Sequence, residues 1–118
     1  MSNKFLFLVV FGTLLLVTAC SKDEDPGTTT CSGLTTSYNN DIKPVITINC
    51  LSCHNGPQSE SGIDLSIYNG VKAMADAGRL LGALHHQNGF TPMPKDAPQL
   101  SSEMLQLFDC WVQNGTPQ

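Results

Sequence analysis

Cys50-Leu51-Ser52-Cys53-His54 is the stretch on which the reading of this chain turns. Two cysteines separated by two residues and followed at once by histidine form the attachment pattern of a c-type haem. The spacing has a chemical reason: two thiols can add to the two vinyl groups on one edge of a porphyrin, and the next residue then lies under the iron. On this reading Cys50 and Cys53 are covalent tethers and His54 is an axial ligand. Other uses of a Cys-x-x-Cys pair fit less well. Zinc needs a second pair of ligands, and the remaining candidates, His85 and His86, are adjacent in the chain. A thioredoxin-like redox pair sits at a helix start in a βαβ context, whereas this pair closes a segment with helical spacing.

Toward the N-terminus, Lys4 precedes an apolar stretch from Phe5 to Val17, and Val17-Thr18-Ala19-Cys20 ends it with small residues. Such a stretch is a secretory signal, too short for a stable bilayer span. With a cysteine directly after the small residues it resembles a bacterial lipoprotein signal. That resemblance implies cleavage before Cys20, lipidation of Cys20 and stable membrane anchoring by several acyl chains. The expected organisation is a signal peptide at 1–19, a flexible tether at 20–30 and a haem domain at 31–118. Ser21-Lys22-Asp23-Glu24-Asp25 followed by Pro26-Gly27-Thr28-Thr29-Thr30 cannot bury a core, which is why it reads as a tether. Its lysine followed by acidic residues also resembles the signal that sends some Gram-negative lipoproteins to the outer face of the outer membrane. The expected location is therefore the cell envelope, lipid-anchored at the outer membrane and facing periplasm or cell surface.

Of the five cysteines, one is assigned to lipid and two to haem, which leaves Cys31 and Cys110. In an oxidising compartment these are expected to form a disulfide that closes most of the domain into one loop. A domain of this size benefits from such a staple, and a covalent haem would add apolar surface around which short helices can pack. From Cys20 onward the chain carries five basic residues (Lys22, Lys43, Lys72, Arg79, Lys95) against ten acidic ones, a net charge of −5. This balance gives no basis for nucleic-acid binding, and it favours a basic docking partner by electrostatic steering.

Helical spacing recurs along the ordered region. Asn40 or Asp41 can cap a first helix that tolerates Pro44 in its first turn, with Ile42, Val45, Ile46 and Asn49 running into Cys50. Asp64 or Ser66 opens a second helix with Ile67, Val71 and Met74 on one face, stopped by Gly78, and Arg79 to His86 reads as a short third. Ser101 or Ser102 caps a last helix carrying Glu103, Met104, Leu105, Leu107, Phe108, Trp111 and Val112, which ends near Gly115. No run alternates β-branched residues, so the expected fold is all-α, about four short helices.

A carrier haem needs a sixth ligand, and Thr91-Pro92-Met93-Pro94 offers a methionine in a loop 39 residues after His54. The flanking prolines fix the backbone, which suits a thioether held at iron with little reorganisation. Met74 and Met104 lie at helical core spacing and read as packing residues. His85 or His86 is the next candidate ligand, and an open sixth site the third.

These features together resemble the small monohaem class I cytochromes c over about residues 36 to 115. The resemblance rests on Cys50-Leu51-Ser52-Cys53-His54 at the end of a first helix, Pro92-Met93-Pro94 in a late loop, and Phe108 and Trp111 in a terminal helix. It implies a bundle in which the first and last helices cross beside the haem, with His54 and Met93 as iron ligands and an exposed haem edge. The chain departs from that family at the crossing, where Ile42 and Ile46 stand in place of the glycine and aromatic residue that many members carry. The function expected is electron transfer between unidentified redox partner proteins, with no substrate transformed. A labile sixth site would instead make a ligand-binding sensor or peroxidase-like protein, with His85 and His86 as distal groups. A haem-free zinc or disulfide adhesion module is the third class.

Overall fold

The computed structural model describes residues 30–118. The signal segment at 1–19, the lipidation position Cys20 and the tether up to residue 29 lie outside the described residues. Among the described residues there are four α-helices: α1 (Lys43–Asn49), α2 (Tyr68–Asp76), α3 (Arg79–Leu84) and α4 (Ser102–Gln113). Among the described residues there is no strand, and the fold is all-α. No helix among them is long and apolar enough to cross a membrane.

A single π-turn, Tyr38–Ile42, runs straight into α1. The Ile42 amide bonds back to the Ser37 carbonyl and the Lys43 amide to the Tyr38 carbonyl. This wide turn comes just before Pro44, whose ring in a regular helix would press on the carbonyl of Asn40. The cap also differs from the sequence expectation: it is Ser37, not Asn40 or Asp41. The Ser37 hydroxyl accepts from the Asn40 amide, and the Asp41 carboxylate reaches back to the Ser37 amide at 2.7 Å. The two residues close the turn reciprocally, as in a capping box with its acid one position later.

Ile42, Val45 and Ile46 bury the face their spacing predicts, while Ile48 on the other side is 81% exposed. In α2 the buried face is Val71 and Ala75. Ile67 is its exposed, extended N-cap, so the helix starts later than Asp64 or Ser66. Gly78, at φ +70°, stops α2 and serves as the N-cap of α3. The third helix ends at Leu84, with His85 as its C-cap and His86 left-handed at φ +52°. Ser101 caps α4 by accepting from the Met104 amide, and Glu103 lies in the first turn. Met104 itself is 36% exposed and is not a core residue, unlike Met74, which packs half-buried against the core.

Trp111, Phe108, Ile42, Ile46 and Val71 lie at the centre of the core. Complete burial of side chains such as Phe108 and Ile42 contributes about 2–3 kcal/mol each in transfer free energy. Tyr38, Tyr68 and Trp111 form an aromatic cluster with centroids 5.2 to 6.5 Å apart, joining the π-turn, α2 and α4. The C-terminal residues strap this cluster. The Pro117 carbonyl accepts from the Tyr38 amide and the Trp111 indole, and the Thr116 carbonyl from the Tyr68 hydroxyl. Cys31 and Cys110 are joined by a disulfide with Cα atoms 5.3 Å apart, which ties the start of the domain to α4.

Candidate functional site

The motif Cys50-Leu51-Ser52-Cys53-His54 winds up the C-terminal end of α1. The Cys50 and Leu51 amides bond to the Ile46 carbonyl, and the Cys50 carbonyl accepts from both the Cys53 and the His54 amides. Cys50 packs half-buried against the core, and Cys53 is exposed. Neither is in a disulfide. Burial pushes the Cys50 thiol up to about 11. A redox-active thiol needs the opposite shift, so the thioredoxin-like use of this pair has no support in its environment.

His54 is buried, 9% exposed, and the segment that follows it forms its setting. The Leu65 amide returns to the His54 carbonyl at 2.9 Å. The Asp64 carboxylate accepts from the amides of Gly56 and Ser66 and from the Ser66 hydroxyl. These bonds close residues 56–66 into a compact loop and hold the Asp64 carboxyl below the usual carboxylate range, Ser66 contributing most. Loop and α2 meet backbone to backbone: a Cβ on Gly70 would lie 1.8 Å from the Asp64 carbonyl oxygen. Within the loop, His54 Nδ1 lies 2.7 Å from the Ser61 hydroxyl and 3.3 Å from the Ile63 carbonyl oxygen. A carbonyl only accepts, so the contact with Ile63 is a hydrogen bond only when the imidazole proton sits on Nδ1. Nε2 then keeps its lone pair, and no residue among those described bonds to it.

Met93 is held elsewhere, by the end of α3. Its amide donates to the Ala83 carbonyl at 3.1 Å, and its carbonyl accepts from His86 Nε2 at 3.0 Å. The same loop satisfies the last carbonyls of α3 together. The Gln87 amide bonds to the Gly82 carbonyl, the His86 amide to the Ala83 carbonyl and the Gln99 side chain to the Leu84 carbonyl. The Phe90 ring lies so close over Gly82 that a Cβ there would be 2.6 Å from it. The Met93–Pro94 peptide is cis. His85 Nε2 pairs with Asp109 of α4 at 2.7 Å.

Cys50, Cys53 and His54 thus form one unit. Met93 belongs to a second, and no hydrogen bond among the described residues joins the two. The Nε2 atoms of His85 and His86 are each committed to another residue. No group of three or more His, Cys, Asp or Glu among the described residues could hold a metal ion, which leaves a zinc site without its ligand set there. The bond of Ser61 to His54 and that of His86 to the Met93 carbonyl escape any reading of the sequence by spacing, because each forms only through a loop closure. The sole trace of the first is a pair of serines, Ser59 and Ser61, shortly after the motif. No protein-family model matches this chain, and no curated protein or solved structure matches it either.

Proposed function

We propose that this chain carries one haem c, attached through Cys50 and Cys53 with His54 as an axial ligand, and passes single electrons between redox partner proteins. The observation that supports this best is the setting of His54: its Nδ1 is held by the loop that follows the motif, and no described residue bonds to its Nε2. The two neighbouring cysteines are free thiols, while the other two described cysteines are cross-linked. Leu51 within the motif and Ile63 in the loop after it are half-buried apolar side chains packed against the core, of the kind that suits a porphyrin face. These residues fit the group. When bound, the haem supplies one-electron exchange at its iron. The chain's part is to tether it, orient His54, and hold Met93 on a backbone braced by Ala83 and His86 as the sixth ligand.

The wider assignment is a class I cytochrome c-like bundle, a non-enzymatic carrier lipidated at Cys20 and confined to the cell envelope at the outer membrane. The test is expression of the full chain with a haem-attachment system, followed by visible spectra in both oxidation states. Covalent low-spin haem with the weak far-red band of iron–methionine ligation in the ferric form supports His54 and Met93. The variant Met93→Ala then lowers the potential and opens a site for carbon monoxide. Absence of covalent haem refutes the proposal. A second reading, a labile sixth site that binds ligands or reacts with peroxide, is favoured by one observation: the Met93 loop is bonded to α3 and not to the His54 segment. High-spin haem in the wild-type protein is the result that selects it.

A further inference from the structure

We infer that Ser61, backed by Ser59, is the positioning residue for His54, fixing its imidazole as the Nδ1–H tautomer and leaving Nε2 as the ligating atom. Five contacts in the loop are satisfied together by one arrangement of protons. A hydroxyl has one proton to donate and two sites at which to accept. The Ser59 hydroxyl donates to the Ile63 carbonyl at 3.0 Å. In the 3.5 Å pair between Ser59 and Ser61 the proton therefore comes from Ser61. Ser61 Oγ is then left to accept, and it has two donors within reach: the Ile63 amide at 3.3 Å and His54 Nδ1 at 2.7 Å. The Ile63 carbonyl, 3.3 Å from Nδ1, also requires a proton there. In the reverse arrangement, with Ser61 donating to Nδ1, the imidazole lone pair faces a carbonyl oxygen and the Ser59–Ser61 contact has no proton.

The consequence for a ligand is direct. An imidazole whose Nδ1–H is shared with an acceptor is a stronger donor at Nε2, and two acceptors restrict its rotation. Ser61 is exposed and belongs to no core contact, so replacing it by alanine removes its bonds to His54, Ser59 and the Ile63 amide and leaves the core packing in place.

The first readout is independent of haem. In the full chain labelled with 15N at histidine and produced without haem attachment, long-range proton–nitrogen correlations at alkaline pH report which ring nitrogen carries the proton. The result expected is Nδ1–H for His54 in the wild type, a mixture with Nε2–H in Ser61→Ala, and recovery in Ser61→Thr. Wild-type His54 as Nε2–H, or a tautomer unmoved by Ser61→Ala, overturns the inference. The second readout rests on the haem reading: in the haem-loaded chain Ser61→Ala raises the midpoint potential, and Ser59→Ala raises it less. A moved tautomer in a chain that never attaches haem upholds the role of Ser61 and refutes the proposed function. An unmoved tautomer in a chain that does attach haem refutes the role of Ser61 alone.

Discussion

Replacing Cys31 and Cys110 together by alanine removes the one covalent link between the start of the domain and its last helix, and its cost can be worked from the fold. The two cysteines are 79 positions apart. On the chain-entropy account, closing a loop of that length removes roughly 15 cal/mol/K from the unfolded ensemble, or about 4.5 kcal/mol at 25 °C. Cys110 is completely buried, so losing its sulfur adds a small cavity and roughly 1 kcal/mol. Domains of this size are stable by about 5–15 kcal/mol, so the loss is a large share of the whole. The melting temperature should fall by about 20–30 °C. Urea titrations of the double variant and the native chain, followed by far-UV circular dichroism and by the fluorescence of Trp111, measure the difference. The denaturant slope should also rise, because an unfolded chain without the cross-link exposes more surface. A loss under about 1 kcal/mol with an unchanged slope would refute the reasoning, since it would mean that the unfolded chain is compact without the bridge.

Three further outcomes follow from the site. In the folded, haem-free chain Cys50, at about 11 against an ordinary 9.0, holds roughly a hundredfold less thiolate near neutral pH. Its alkylation should lag that of a free thiol by about that factor and recover in denaturant, as mass spectrometry of peptides will report; equal rates in folded and unfolded chain would contradict it. Gly70→Ala sets a Cβ against the Asp64 carbonyl and forces the 56–66 loop off α2. A cost of about 2 kcal/mol is expected net of the better helix propensity, read by thermal melting, with a loosened His54. For Asp64, the folded pKa lies below the unfolded one, so its contribution is present above the unfolded value and is lost as pH falls through the folded value. Asp64→Ala should therefore flatten the acid side of a stability–pH curve, which urea midpoints across that range will test.

Particular residues show why some of this was legible and some was not. The α1 face was readable because Ile42, Val45 and Ile46 repeat at the period of a helix, and a periodic apolar face needs no knowledge of its partner. Ser101 was readable for the same local reason, since a cap meets its amide within one turn. The first cap has no such local signature, because Ser37 and Asp41 close a π-turn, one residue wider than the spacing of a capping box. Met104 is in phase with the core yet 36% exposed, because helical spacing tells which residues share a face, not how far that face is covered. Ile67 shows the same limit: apolar and in phase with Val71 and Met74, it lies just outside the helix as its N-cap.

By itself the sequence determined the local chemistry: the Cys50–His54 motif, the all-α character and the helix stops at Gly78 and near Gly115. Each depends on residues a few positions apart, whose geometry the backbone dictates. Only the tertiary structure decided what the ring nitrogens of His54, His85 and His86 meet, and that the Met93 loop hangs on the carbonyls of α3. It alone brought the bare backbone of Gly70 against the Asp64 carbonyl. Those contacts join segments through loop closures whose path is set by the burial of Trp111, Phe108 and Val71, and a hydrogen bond a few ångströms long has no signature in sequence until that core has placed its two ends together.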